Sequence, residues 1–71
     1  MLRKQTPGAS LLLAEKPVVL VVEDDAPLRL KTAGRLRAAG FEVFEAASAA
    51  QAKRILKDTP VDALFLSVRH R

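Results

Sequence analysis

Three consecutive acidic residues, Glu23, Asp24 and Asp25, are the clearest candidates for chemistry in this chain. They follow an apolar run over residues 18–22, and a second apolar run reaches Ser67. In open parallel sheets, ligands bind at the carboxyl ends of the strands, beside the point where the strand order reverses. If the two runs are neighbouring parallel strands, Glu23, Asp24 and Ser67 face the same gap.

The acidic residues have two interpretations. Two carboxylates at a rigid strand end are suitable ligands for a hard divalent cation such as Mg²⁺. Alternatively, Asp24 and Asp25 only cap the helix that follows and interact with its dipole, which requires no metal. The spacing alone favours capping, because acids are common at helix starts, and Pro27 suits a first helical turn. The sequence by itself leaves both interpretations open.

The elements that must position these residues alternate between strand and helix. The run over residues 18–22 is apolar throughout, which is typical of a strand buried on both faces of a parallel sheet. Strands and helices are predicted over residues 18–22, 26–39, 41–46, 49–57 and 61–68. Right-handed crossovers then give an α/β fold with parallel strand order 2-1-3 and one helix on each face.

Helix-terminal residues support these boundaries. Gly40 is suited to a left-handed residue after the first helix. Ser48 and Gln51 match a capping box, in which the serine oxygen accepts from an amide and the glutamine reaches back to the cap. The edge strand, residues 41–46, mixes acidic and apolar side chains, and such charge protects an edge against unwanted pairing.

The predicted core faces of the helices follow from their 3.6-residue period. In the first helix Leu28, Leu36 and Ala39 share a face, and Arg29 and Arg37 lie outside it. In the second helix the predicted apolar stripe consists of Ala49, Ala52, Ile55 and Leu56.

Composition limits the class of protein. The chain has 71 residues, no cysteine and a net charge of +4, which indicates one small domain without disulfides. We expect a flexible N-terminal tail over residues 1–16 and a domain over residues 17–71. The basic residues are scattered and Trp and Tyr are absent, which disfavours nucleic-acid binding. No apolar run is long enough for a signal peptide or a membrane span, so we expect a cytoplasmic protein.

Several segments together resemble the first half of a bacterial response-regulator receiver domain. They are VLVVEDD at residues 19–25, LR at 28–29, LRAAGFEVFEA at 36–46 and VDALFL at 61–66. The resemblance covers roughly residues 17–69. It implies a flavodoxin-like fold and a role in two-component, phosphorelay signal transduction. It also implies that Glu23 and Asp24 occupy the Mg²⁺-binding positions, together with the backbone carbonyl of Arg69.

The departures from the receiver pattern change the expected function. The family's phosphoacceptor aspartate ends strand 3, and that position is Ser67 here, which cannot form an acyl phosphate and weakens any Mg²⁺ site. The family's switch Ser or Thr after strand 4 and its lysine after strand 5 have no counterpart in this chain. We therefore expect a truncated pseudo-receiver that is not an enzyme, has no catalytic residue and acts by protein–protein binding.

The expected partners follow from strand 3. Without a fourth strand it is an apolar edge, and such edges recruit other strands. We expect a homodimer paired through this edge, with a histidine kinase or a full-length receiver as further partners. The dimer edge is predicted at Leu64, Phe65, Leu66 and Val68. The alternative is a fragment of an ordinary receiver, which needs the missing strands for Mg²⁺-dependent phosphoacceptor activity.

Overall fold

A three-stranded parallel sheet with two helices forms the described part of the chain, residues 16–67 of the computed structural model. The elements are β1 (Val18–Val22), α1 (Ala26–Ala38), β2 (Glu42–Ala46), α2 (Ala49–Asp58) and β3 (Ala63–Leu66). Both strand pairs are parallel and the strand order is β2-β1-β3. The fold is a flavodoxin-like partial α/β arrangement, and the predicted class, order and topology are confirmed.

The central strand β1 supplies both halves of the core. Leu20 and Val21 are fully buried although they point to opposite faces of the sheet, as successive residues of a strand must. One buried cluster consists of Val19, Val21, Ala33 and Val43, and the other of Leu20, Val22, Ala46 and Ala52. Since Ala33 belongs to α1 and Ala52 to α2, each face of the sheet is covered by one helix, as predicted.

The sheet-facing side of α1 differs from the prediction. Ala33 is its fully buried residue, and Leu36 packs against the same cluster. Leu28 and Ala39, which were predicted in the core, are exposed. The small Ala33 side chain allows close approach of the helix to the sheet, and the helix therefore presents Ala33 and Leu36 to the sheet and leaves Leu28 exposed.

The end of α1 is a Schellman motif. Gly40 has a φ of 102°, the left-handed conformation predicted for it. Its amide donates to the Arg37 carbonyl at 3.0 Å, and the Phe41 amide donates to the Leu36 carbonyl at 3.1 Å. Phe41 and Leu36 also pack against one cluster. Phe41, predicted as the first residue of β2, instead completes the turn.

The start of α2 is capped nearly as predicted. The Gln51 amide donates to the Ser48 hydroxyl at 3.2 Å. The Gln51 side chain, however, accepts from the amide of Ala47 at 2.8 Å, one residue earlier than a capping box requires. Of the predicted apolar stripe, Ala52 is buried and Ile55 packs against its cluster, while Ala49 and Leu56 are exposed.

The third strand lies beside β1 without reaching either core cluster. All four residues of β3 are exposed. It is shorter than the predicted strand: Val61 packs against the α2-side cluster before the strand begins, and Ser67 follows its end. Val68, predicted in the strand, lies outside the described residues. Asp62 fixes its position: its side chain accepts from the Val18 amide at 2.7 Å and its amide donates to the Val18 carbonyl at 2.8 Å.

Two further expectations concern the chain termini and membranes. Residues 1–15 of the predicted tail lie outside the described residues, and Lys16 is exposed. Between residues 16 and 67, neither helix is long and apolar enough to cross a membrane.

Leu20→Ala tests the dependence of the fold on β1. Removing this fully buried side chain should cost about 2–5 kcal/mol of unfolding free energy. A core of this size rarely supplies more than about 3–5 kcal/mol, so the cooperative urea transition, followed by circular dichroism, should be largely lost. Leu30→Ala, at an exposed position of α1, is the control and should change stability by no more than about 0.5 kcal/mol.

Candidate functional site

The carboxyl end of β1 carries a buried acid. Glu23 is 2% exposed, and its amide continues the sheet by donating to the Ala46 carbonyl at 3.0 Å. Its side-chain Oε2 accepts from the Asp25 amide at 2.9 Å. The carboxylate is therefore turned back onto the chain that connects β1 to α1.

The next two acids have different roles. Asp25 is the N-cap of α1: its Oδ1 accepts from the Leu28 amide at 3.1 Å and its carbonyl accepts from the Arg29 amide at 2.8 Å. This confirms the capping interpretation for Asp25. Asp24 is exposed and precedes the cap.

Ser67 follows β3 directly beside the end of β1. Its amide donates to the Val22 carbonyl at 3.1 Å, and the residue is partly buried. The backbone therefore places Ser67 and the acidic segment at the same end of two neighbouring strands. The residue that follows β3 therefore brings a hydroxyl group to this end of the sheet.

This end of the sheet offers few metal ligands. Among residues 16–67, there is no group of three or more His, Cys, Asp and Glu side chains that could hold a metal ion. One Glu23 oxygen is committed to the Asp25 amide. The Arg69 carbonyl, predicted as a ligand, lies outside the described residues, as does Val68 of the predicted dimer edge. The described oxygen donors at this end are the carboxylates of Glu23 and Asp24 and the hydroxyl of Ser67.

Two arginines of α1 connect this region to β2. Arg29 donates to the Glu23 carbonyl at 3.1 Å and pairs with Glu45 at 3.4 Å. Arg37 pairs with the other Glu45 oxygen at 3.1 Å and donates to the Val43 carbonyl at 2.9 Å. The sequence prediction placed both arginines outside the core face, but they flank Ala33 at a spacing of four residues on each side. A buried alanine midway between two arginines, opposite a strand glutamate, was the available signal.

Strand β3 carries three of the exposed large apolar side chains in the described part of the chain. Leu64, Phe65 and Leu66, here called the β3 surface, are 53%, 45% and 58% exposed. They pair in register with Leu20, Val21 and Val22 of β1. Because paired residues of parallel strands point to the same side, Leu64 and Leu66 lie on the α2 side of the sheet and Phe65 lies on the α1 side. Three adjacent apolar residues are therefore about half exposed, two on one face of the described sheet and one on the other.

Comparison of the chain with models of known protein families, with curated proteins and with solved structures gave no match.

The Asp25 cap provides a test of how the acidic segment is used. Asp25→Ala removes the acceptor for the Leu28 amide and should lower the unfolding free energy by about 1 kcal/mol. Asp25→Asn is the matched control, because asparagine caps helices as well as aspartate does. Urea denaturation of both variants gives the comparison. Equal losses in the two variants would show that the charge of Asp25, rather than its capping bond, is what matters.

Proposed function

We propose that this chain is a receiver-like, non-phosphorylatable signalling module of two-component signal transduction that acts by protein–protein binding. The observation that carries the proposal is the position of Ser67. It follows a strand beside β1 and shares the carboxyl end of the sheet with Glu23 and Asp24.

The fold supports a receiver-like assignment. Its strand order reverses at β1, which creates the position where α/β proteins of this kind place their functional groups. The receiver resemblance assigns the acidic segment and the residue after β3 to that position. The hydrogen bond between the Ser67 amide and the Val22 carbonyl brings these two parts of the chain together.

The chemistry of Ser67 supports a role without phosphotransfer. An acyl phosphate requires a carboxylate, and a serine hydroxyl cannot provide one. Two of the acids at this end already have structural roles, since Asp25 caps α1 and Glu23 is buried against the Asp25 amide. A module that cannot be phosphorylated in this way acts by binding to a partner protein, such as a histidine kinase or a complete receiver.

The β3 surface supports binding as that action. It leaves Leu64, Phe65 and Leu66 exposed at an edge of the described sheet. Unpaired strand edges bind extended segments of other proteins by adding a strand to the sheet. The β3 surface is therefore suited to a partner that supplies an extended strand.

Phosphoryl labelling tests the proposal. Incubation with acetyl phosphate and Mg²⁺, or with a phosphorylated histidine kinase, should leave the chain free of acyl phosphate. The measurement is intact mass before and after treatment with hydroxylamine, which cleaves acyl phosphates. A phosphoryl group on this chain that hydroxylamine removes would overturn the proposal.

Ser67→Asp tests the role of position 67 in metal binding. The substitution adds a carboxylate near Glu23 and Asp24 and should tighten Mg²⁺ binding relative to the natural serine, because Mg²⁺ prefers anionic oxygen ligands. Isothermal titration calorimetry measures the change, with Ser67→Asn as a control of similar size that lacks the charge. Unchanged Mg²⁺ affinity in Ser67→Asp would show that position 67 does not face the acidic segment.

A further inference from the structure

We propose that a second copy of this chain occupies the β3 edge by antiparallel strand pairing centred on Phe65. This inference rests on the proposed role of the β3 surface in binding and names its occupant. Three observations carry it: the direction of the β3 backbone groups, the absence of charge along the strand, and the symmetry of the pairing.

Within residues 16–67, two residues of β3 direct their backbone groups towards the open edge of the sheet. The Ser67 amide faces β1, where it donates to the Val22 carbonyl. Backbone groups of successive strand residues point alternately to the two sides of the strand. Phe65 therefore directs its amide and carbonyl towards β1, while Leu64 and Leu66 direct theirs towards the edge.

The edge lacks the features that discourage pairing. Natural edge strands are protected by charged side chains, proline or bulges. The sequence of β3 is ALFL, without charge or proline, and its pairing with β1 is continuous from Ala63 to Leu66. The other edge strand, β2, has the sequence EVFEA with two acids. Two copies meeting through β3 bring no like charges together, whereas two copies meeting through β2 would.

Symmetry and the outward backbone groups together set the register. A two-fold axis normal to the sheet makes two copies of β3 antiparallel and keeps both α1 helices on the same side. Among the two-fold registers, the one centred on Phe65 pairs the outward groups of Leu64 in each copy with those of Leu66 in the other. Phe65 then lies opposite Phe65 of the second copy as a non-hydrogen-bonded pair, in which the Cα atoms are about 4.5 Å apart and the side chains are close.

This register brings the exposed apolar side chains together. Leu64 and Leu66 from both copies form a block of four leucines on the α2 side, and the two Phe65 rings adjoin on the α1 side. Cross-strand aromatic pairs of this kind stabilise sheets. The result is a continuous six-stranded sheet in which β3 is no longer an edge.

Single-cysteine variants test the register, because the natural chain contains no cysteine. Phe65→Cys should form an intermolecular disulfide when oxidised glutathione is added, since its Cα separation in the dimer lies within the range that disulfides span. Leu64→Cys is the matched control: its two copies lie on a diagonal, about 7–8 Å apart, which is too far for ready bridging. Non-reducing electrophoresis should show the dimer band for the first variant and little for the second.

A charge substitution tests the interface without a covalent bond. Leu66→Lys should change the mass of the natural chain in sedimentation equilibrium from two chains to one. Leu30→Lys is the control, because Leu30 and Leu66 are both 58% exposed and only Leu66 lies on β3. Circular dichroism should show the same secondary structure for both variants.

The outcomes separate this inference from the proposed function. A natural chain that sediments as a monomer, or equal disulfide formation by both cysteine variants, overturns the pairing described. A monomer in which the thiol of Phe65→Cys is protected from alkylation would point to residues of the same chain as the occupant, and likewise overturns it. All measurements use the purified chain without a kinase or receiver, so failure of the phosphorelay role would leave them unchanged.

Discussion

Burial of β1 on both faces is the constraint on which the rest of the structure depends. Leu20 and Val21 are both fully buried, and a single strand can bury both sides only if each face of the sheet is covered. The helices α1 and α2 therefore cover opposite faces of the sheet. The same strand bonds to β2 and β3, so it fixes the register of the sheet as well as the packing of both helices.

The groups that complete this fold are also those that a receiver would use for chemistry. Glu23 extends the pairing of β1 with β2, accepts from the Asp25 amide and presents its carbonyl to Arg29. Asp25 begins α1. Because the acidic segment makes these bonds, its residues contribute to folding whether or not a metal binds. A chain that lost phosphotransfer would still keep these acids for structural reasons.

Local patterns in the sequence predicted the elements well, because strand and helix signals are strong here. The apolar run of β1, Gly40 after α1 and Ser48 before α2 each set a boundary close to the observed one.

The sequence predicted the side-chain contacts less well. Ala33 was missed as the centre of α1 packing because hydrophobic periodicity gives weight to large side chains, whereas close approach of a helix to a sheet requires a small one. The contacts of Arg29 and Arg37 with Glu45 depend on the relative placement of α1 and β2, which no local pattern contains. For the candidate site, the predicted strand order placed Ser67 beside the end of β1. The hydrogen bond that turns the Glu23 carboxylate towards the Asp25 amide could not be predicted from the strand order.

The bare faces of β3 have a consequence for the dynamics of the molecule. Its connection to the core consists of pairing with β1 and the two bonds between Asp62 and Val18. All four residues of β3 are exposed whereas residues 19–22 of β1 are buried, so β3 should open at a lower free energy than β1, and its amides should exchange with solvent hydrogen before those of β1. Any molecule that binds β3 only in its attached form shifts this local equilibrium by mass action and slows the exchange. Binding at the β3 edge is thereby coupled to whether β3 stays attached to β1.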